Sequence, residues 1–196
     1  MDGCISQRIK LASITVFGLN TAIHSHYSNL STNRGTAMKI ITDMDKLTIP
    51  CEAISYEDSL KVAKKMRMFL LTNKNISNNT IGLACNQLGL EGRVILYKDG
   101  ESFKHLINPE ITDKSLDMIT TKESCLSVPN KSVYVERHRN ITIQKWKDSA
   151  NWDYFKPTSY QSIVIQHEID HLNGITILQT DYIMTETHLS TNKKEK

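Results

Sequence analysis

Two histidines stand four residues apart, with a glutamate directly after the first, in Gln166-His167-Glu168-Ile169-Asp170-His171. On a helix, side chains four apart share one face, so His167 and His171 can hold a single metal ion together. Glu168 then sits beside the ion and can reach a water that the ion acidifies, as a general base. The same letters could also be a solvated, charged helix face. The apolar lead-in Ile163-Val164-Ile165 speaks for a buried helix instead. Buried histidines and acids need partners, because unpaired polar groups are costly there.

A catalytic site of this kind wants a third protein ligand. The spacing His-x-x-Gly-x-x-His of one protease class fails, because Gly174 is present but position 177 is Ile. A glutamate on a following helix would have to be Glu186, which lies in a polar tail. Cys125 remains, in Glu123-Ser124-Cys125-Leu126-Ser127. A thiolate and two imidazoles leave a fourth position open for water, whereas a structural zinc would want a fourth protein ligand, and no second cysteine is placed to be one. Taken alone, Cys125 could equally be a small buried hydrophobe.

These residues need a scaffold. Tyr56–Leu71 has apolar residues at helical spacing and acids in its first turn, which predicts a helix. Asn73–Thr80 is polar and reads as a loop. Arg93–Tyr97, His105–Ile107, Val133–Val135 and Ile141–Trp146 are short, β-branched and alternating, and read as strands. Ser159–Asn173 reads as a second helix with Gly174 as its C-cap, and Ile175–Ile177 as a last short strand. Strands between two helices, without βαβ alternation, predict an α+β fold: antiparallel sheets around the helix that carries the histidines.

A chain of 196 residues suffices for one domain with a core. The net charge is +3 and the basic residues are spread out, which argues against nucleic acid as a specific partner and leaves room for a weak ribosome contact. No apolar run is long enough to span a bilayer. Cys4, Cys51, Cys85 and Cys125 are scattered, as expected of free thiols or ligands in a reducing compartment. Residues 1–37 carry Arg8, Lys10 and Arg34 but a single acid, Asp2, and read as a disordered or targeting extension. The folded domain is expected over residues 38–184, and residues 185–196 as a polar tail.

Three segments in order resemble the peptide deformylase family. Ile81-Gly82-Leu83-Ala84-Cys85-Asn86-Gln87 is similar to its Gly-φ-Gly-φ-Ala-Ala-x-Gln, where φ is apolar. Glu123-Ser124-Cys125-Leu126-Ser127 is similar to Glu-Gly-Cys-Leu-Ser, and Gln166–Gly174 fits the third motif fully. Thr80 stands where the family has its first Gly, Cys85 replaces an Ala and Ser124 a Gly. The short polar C-terminal region resembles phage and organelle members more than those with a long C-terminal helix.

The resemblance implies a hydrolase that removes the N-formyl group from the initiator methionine of nascent polypeptides, during protein biosynthesis, and releases formate. It implies Cys125, His167 and His171 as metal ligands and Glu168 as the proton carrier. The Gln87 side-chain amide and the Leu126 N–H would form the oxyanion hole. Ile81 and Gly82 would pair with an extended substrate, and Ile163, Val164 and Leu126 would line the methionine pocket, the alternative being that they are plain core. Asp170 would pair with Arg137 and, with Glu123, orient the ligand histidines. The family typically uses Fe(II), and the donor set also suits Zn(II), Ni(II) or Co(II). Substrates would be formyl-Met peptides and nascent chains, with no membrane. The compartment would be the cytoplasm of a bacterial or phage-infected cell, or a mitochondrion or plastid if residues 1–37 are a transit peptide. Two other readings compete: a zincin-like peptidase that does not need Cys125, and a metal-holding binding module without activity.

Overall fold

The computed structural model describes residues 38–179. The expectations for residues 1–37 and 185–196 lie outside them. A single helical turn, α1 (Met44–Leu47), precedes the long helix α2 (Tyr56–Thr72). Ser55 caps α2 by accepting from the Asp58 N–H, and Glu57 and Asp58 meet the positive end of its dipole. Val62, Ala63, Met66, Phe69 and Leu70 form one buried face. Asn73 ends the helix, its Nδ2 donating to the Phe69 carbonyl at 2.8 Å.

Residues 73–80 are not the plain loop expected. Lys74–Asn79 form a six-residue helix, α3, with no fully buried side chain. Its polar sequence carries no apolar period, so its helicity left no signal.

The strands form three antiparallel groups. In the first, β1 (Gly82–Ala84), β2 (Val94–Asp99) and β3 (Ser102–Ile107) lie in the order β1-β2-β3. In the second, β4 (Glu110–Lys114), β7 (Ile141–Trp146) and β8 (Trp152–Phe155) lie in the order β4-β7-β8. The third is a hairpin of β5 (Met118–Cys125) and β6 (Val128–His138). The alternating strands expected at 93–97, 105–107, 133–135 and 141–146 fall within or overlap β2, β3, β6 and β7. Strands β4 and β8 are largely exposed on both faces, so alternation could not mark them. They exist because β7 offers each of them an edge.

Helix α4 (Ser159–Leu172) runs through the middle. Thr158 and Gln161 form its capping box. Val164, Ile165, Gln166, Glu168, Ile169, His171 and Leu172 are buried, so the helix is covered on nearly every side, by β1, β2 and β6. Asn173 is the cap residue, and Gly174 follows it at φ +74°. The strand expected at Ile175–Ile177 is absent: the segment turns, with Thr176 bonded to Gln179, and Ile177 buries itself beside Cys125 and Val128. After the sharp exit at Gly174, Ile175 is exposed while Ile177 is buried.

Gly174 also passes close under the segment before α2. A Cβ there would lie 2.5 Å from the Thr48 carbonyl oxygen. Gly174→Ala should therefore cost about 2 kcal/mol or more, from the left-handed backbone and the clash together. Urea denaturation should show a lower midpoint at unchanged slope; a variant within about 0.5 kcal/mol of the parent would mean that neither constraint is real.

Candidate metal centre

Strand β5 alternates, so Glu123 and Cys125 turn inward while Lys122 and Ser124 are exposed. Two residues along an antiparallel strand advance about 6.8 Å. Four residues along a helix rise about 6 Å. The two spacings nearly match, and β5 lies along α4 so that each inward side chain meets a histidine. Cys125 Sγ is 3.1 Å from His171 Nε2, and Glu123 Oε2 is 3.0 Å from His167 Nδ1.

A bulge aims the cysteine. The hairpin register runs without a break from Met118↔His138 to Ser124↔Ser132 and then slips, so that Cys125 pairs with Val128. Residues 129–131 are thrown out of the ladder, with Asn130 at φ +62°. Such a slip bends the strand and redirects the side chain at its end. Leu126 and Ser127 make the tight connection.

The ligand atoms of Cys125, His167 and His171 all lie within 4.8 Å of one another. A thiolate with two imidazoles is a donor set for a divalent transition metal. Glu168 is 4% exposed, and its Oε2 has no protein partner among the described residues, which fits a carboxylate facing a bound ion or its water. The residues present fit such an ion.

The charges are held in a chain. Arg137 donates from Nε to Glu123 Oε1 at 2.8 Å, from Nη2 to Glu123 Oε2 at 2.9 Å, and from Nη1 to Asp170. Thr121 Oγ1 also donates to Glu123. Burial works to raise Glu123, but Arg137 and His167 outweigh it and hold the carboxyl at about 2. Glu123 is thus an anion that accepts from Nδ1 of His167, leaving Nε2 of that ring for an ion. Burial works against charge on His167, yet its contacts with Cys125 and Glu123 raise it to about 10. A cation entering here would displace that proton. Burial, with His167 and Arg137 adding to it, lowers His171 to about 3, so it is a neutral donor ring. Burial pushes Glu168 up to about 7 against the pull of His167.

Gln87 approaches from the 3₁₀ turn Cys85–Leu88. Its Oε1 accepts from the Ala84 N–H at 2.9 Å, which directs its Nε2 toward Ser127 Oγ, at 3.2 Å, and Cys125 Sγ, at 3.5 Å. Ile81, Gly82, Gln87, Leu126, Ile163 and Val164 line one cleft of about 430 Å³ together with Cys125, His167 and Glu168. Ile81 is exposed at its mouth, and Val164 is mostly core. Arg137 and Asp170 line a different cleft, behind the histidines. Thr80, Asn86 and Ser127 also support the site, without a signal in the sequence that marks them for it. Thr80 donates to the Gly82 carbonyl, Asn86 Nδ2 donates to the His171 carbonyl at 2.7 Å, and Ser127 receives the Gln87 amide. Small polar residues of this kind have no periodic signature. The three departures from the family pattern each find a neighbour: Thr80 has Gly82, Cys85 donates to the Gly92 carbonyl, and Ser124 meets Ser132.

A His-Glu-x-x-His helix closed on a cysteine-bearing hairpin, with a buried carboxylate beside the donors, is the equipment of a mononuclear metallohydrolase. The chain belongs to the polypeptide deformylase family, whose model matches residues 38–186. Among curated relatives, the peptide deformylase of Finegoldia magna is 37% identical over 109 residues, covering 55% of this chain and 66% of the relative. That of Pseudothermotoga lettingae is 34% identical over 114 residues, 58% of this chain and 65% of the relative. The match thus spans just under two thirds of these relatives' length.

Solved structures agree. A probable peptide deformylase from Synechococcus phage S-SSM7 is 29% identical, with a TM-score of 0.62 over 72% of this chain and 98% of that one. The deformylase of Ehrlichia chaffeensis is 27% identical, with a TM-score of 0.62 over 82% and 98%. That of the Vibrio parahaemolyticus bacteriophage VP16T, solved in complex with actinonin, is 28% identical, with a TM-score of 0.60 over 71% and 100%.

The Arg137–Glu123 pair makes a prediction about acid. The folded carboxyl, at about 2, lies below the ordinary carboxylate value. Its contribution to stability is therefore full above about pH 4.5 and fades as the pH falls toward 2. Arg137→Leu strands a buried charge and should cost about 3 kcal/mol or more at neutral pH. It should also flatten that acid dependence, because the Glu123 pKa then rises. Urea denaturation of the metal-stripped protein at about pH 7, 4 and 3 reads both effects; unchanged stability at pH 7 would rule the pair out as a stabiliser.

Proposed function

We propose that residues 38–184 form a catalytic domain that hydrolyses the N-formyl group of formyl-methionyl peptides and nascent chains, releasing formate. The observation that carries this reading is the convergence, on one cleft, of the Cys125–His167–His171 donor set, the buried Glu168 carboxylate and the Gln87 amide. Cys125, His167 and His171 would hold one divalent ion, with Fe(II) favoured and Zn(II), Ni(II) or Co(II) accepted by the same donors. When bound, the ion supplies Lewis acidity, which brings water within reach of deprotonation near neutral pH.

The chain's own residues do the rest. Glu168 removes the water proton at Oε2 and returns it to the departing amine, a double task suited to a carboxyl pushed up by burial. The formyl oxygen turns negative as water adds, and the Gln87 Nε2 and Leu126 N–H stabilise it. A carboxylate at position 87 would repel that charge. Glu123 fixes the His167 ring through Nδ1, and Arg137, tied to Asp170, holds Glu123 in place. Among the described residues strand β1 is an edge, so the outward-facing backbone of Gly82 can receive an extended peptide as an added strand, with Ile81 lining the cleft beside it. Ile163, Val164 and Leu126 offer apolar surface to the methionine side chain.

The bacterial and phage sources of the relatives support work in a bacterial or phage-infected cytoplasm, and a weak ribosome contact belongs to the same reading. No helix among the described residues is long and apolar enough to cross a membrane.

Formate release from a formyl-Met tripeptide, with metal analysis of the same sample, tests the reading. The metal-loaded protein should turn over the formylated peptide and leave its acetylated counterpart intact. Glu168→Gln should keep the metal and lose about a thousandfold or more in kcat, since it removes the proton carrier and leaves the ligands. Cys125→Ala should lose tight metal binding as well as activity. A Cys125→Ala protein that still holds one ion tightly would favour a peptidase-like site built on the histidines alone.

A further inference from the structure

Among the described residues, strand β1 pairs on one side, with β2. Lys98 N donates to the Ile81 carbonyl at 2.8 Å, so that carbonyl turns toward β2. In an antiparallel ladder the direction alternates, and the Gly82 carbonyl therefore faces the open edge. Thr80 Oγ1 donates to that carbonyl at 2.7 Å, within a buried environment. Thr80 itself has extended backbone, φ −112° and ψ 150°, so nothing in the chain geometry demands glycine there.

Gly82 is in turn packed against Glu168. A Cβ built on Gly82 would lie 2.3 Å from Glu168 Oε1 and 2.9 Å from Cδ. The carboxylate thus rests against bare backbone, and the orientation of the Gly82–Leu83 peptide sets where it can lie. Thr80, Gly82, Glu168 and Gln87 all line the same cleft.

We propose that Thr80 is a positioning residue for Glu168: its hydroxyl pins the Gly82 carbonyl and so holds the strand that backs the proton-carrying carboxylate. This assignment rests on the deformylase reading. A glycine at position 80 supplies no such hydroxyl, and in this chain the side chain does what backbone freedom alone would not. The bond is local, between residues two apart, so its loss loosens one peptide plane and leaves the metal donors where they are.

Steady-state kinetics of formate release by the holoenzyme, with metal content measured, tests it on three variants. Thr80→Val keeps the shape and removes the donor; kcat should fall about tenfold with KM within twofold and the metal unchanged. Thr80→Ser keeps the donor and should restore kcat. Thr80→Gly should behave like the valine variant, and the Ser–Gly comparison decides the matter if Thr80→Val does not fold. Wild-type kcat in Thr80→Val, a loss confined to KM, or a serine variant as impaired as the valine variant would each overturn the assignment. A metal-loaded wild-type protein that releases no formate would overturn the deformylase reading itself, and the assignment with it.

Discussion

Everything at the site depends on the near-equality of two repeats. Two steps along β5 cover almost the same distance as four residues of α4, so Glu123 and Cys125 stand opposite His167 and His171. Because the match is between rigid elements, the donors are held by secondary structure rather than by loops. A slip of one residue on β5 would exchange Cys125 for Ser124 and turn the thiol to solvent. The bulge at the end of the hairpin and the turn at Leu126-Ser127 hold that register.

Bringing histidines and carboxylates into a core is costly, and the structure offsets the cost by pairing. Arg137 reaches Glu123 with two nitrogens and Asp170 with a third. Glu123 then holds His167. The chain of charge ends at His167, so a residue that could hold a metal ion is oriented by a network that is itself buried. Glu168 stands apart: it is buried beside these charges with one oxygen unpaired among the described residues, which is the opposite of what stability favours. A polar group left in that condition is where chemistry is to be sought.

The open edge of β1 contributes the other half of the site. Its Gly82 carbonyl accepts from Thr80, and its lack of a Cβ at Gly82 lets the backbone touch the Glu168 carboxyl. Gln87, in the turn that follows β1, is locked by Ala84 so that its amide points to the donors. A three-residue strand and one turn thus bring both a backbone edge and an amide donor beside the helix.

The helix-borne pair His167 and His171, and Glu168 next to them, were legible from the sequence because helical spacing is a local property. Helices α2 and α4 and the alternating strands were legible for the same reason. Strands β4 and β8 were not, since exposed strands on the edges of β7 carry no burial pattern. Helix α3 was hidden by its polar composition, and the expected strand at Ile175–Ile177 gave way to a turn after Gly174. Cys125 could be named from the sequence as a candidate, but its meeting with His171 is a contact between residues 46 positions apart. The Thr80–Gly82–Glu168 stack and the Gln87–Ser127 bond likewise had to wait for the fold. Residue type and local period are written along the chain; distance between segments is decided only when the hairpin, the edge strand and the helix bury one another's faces.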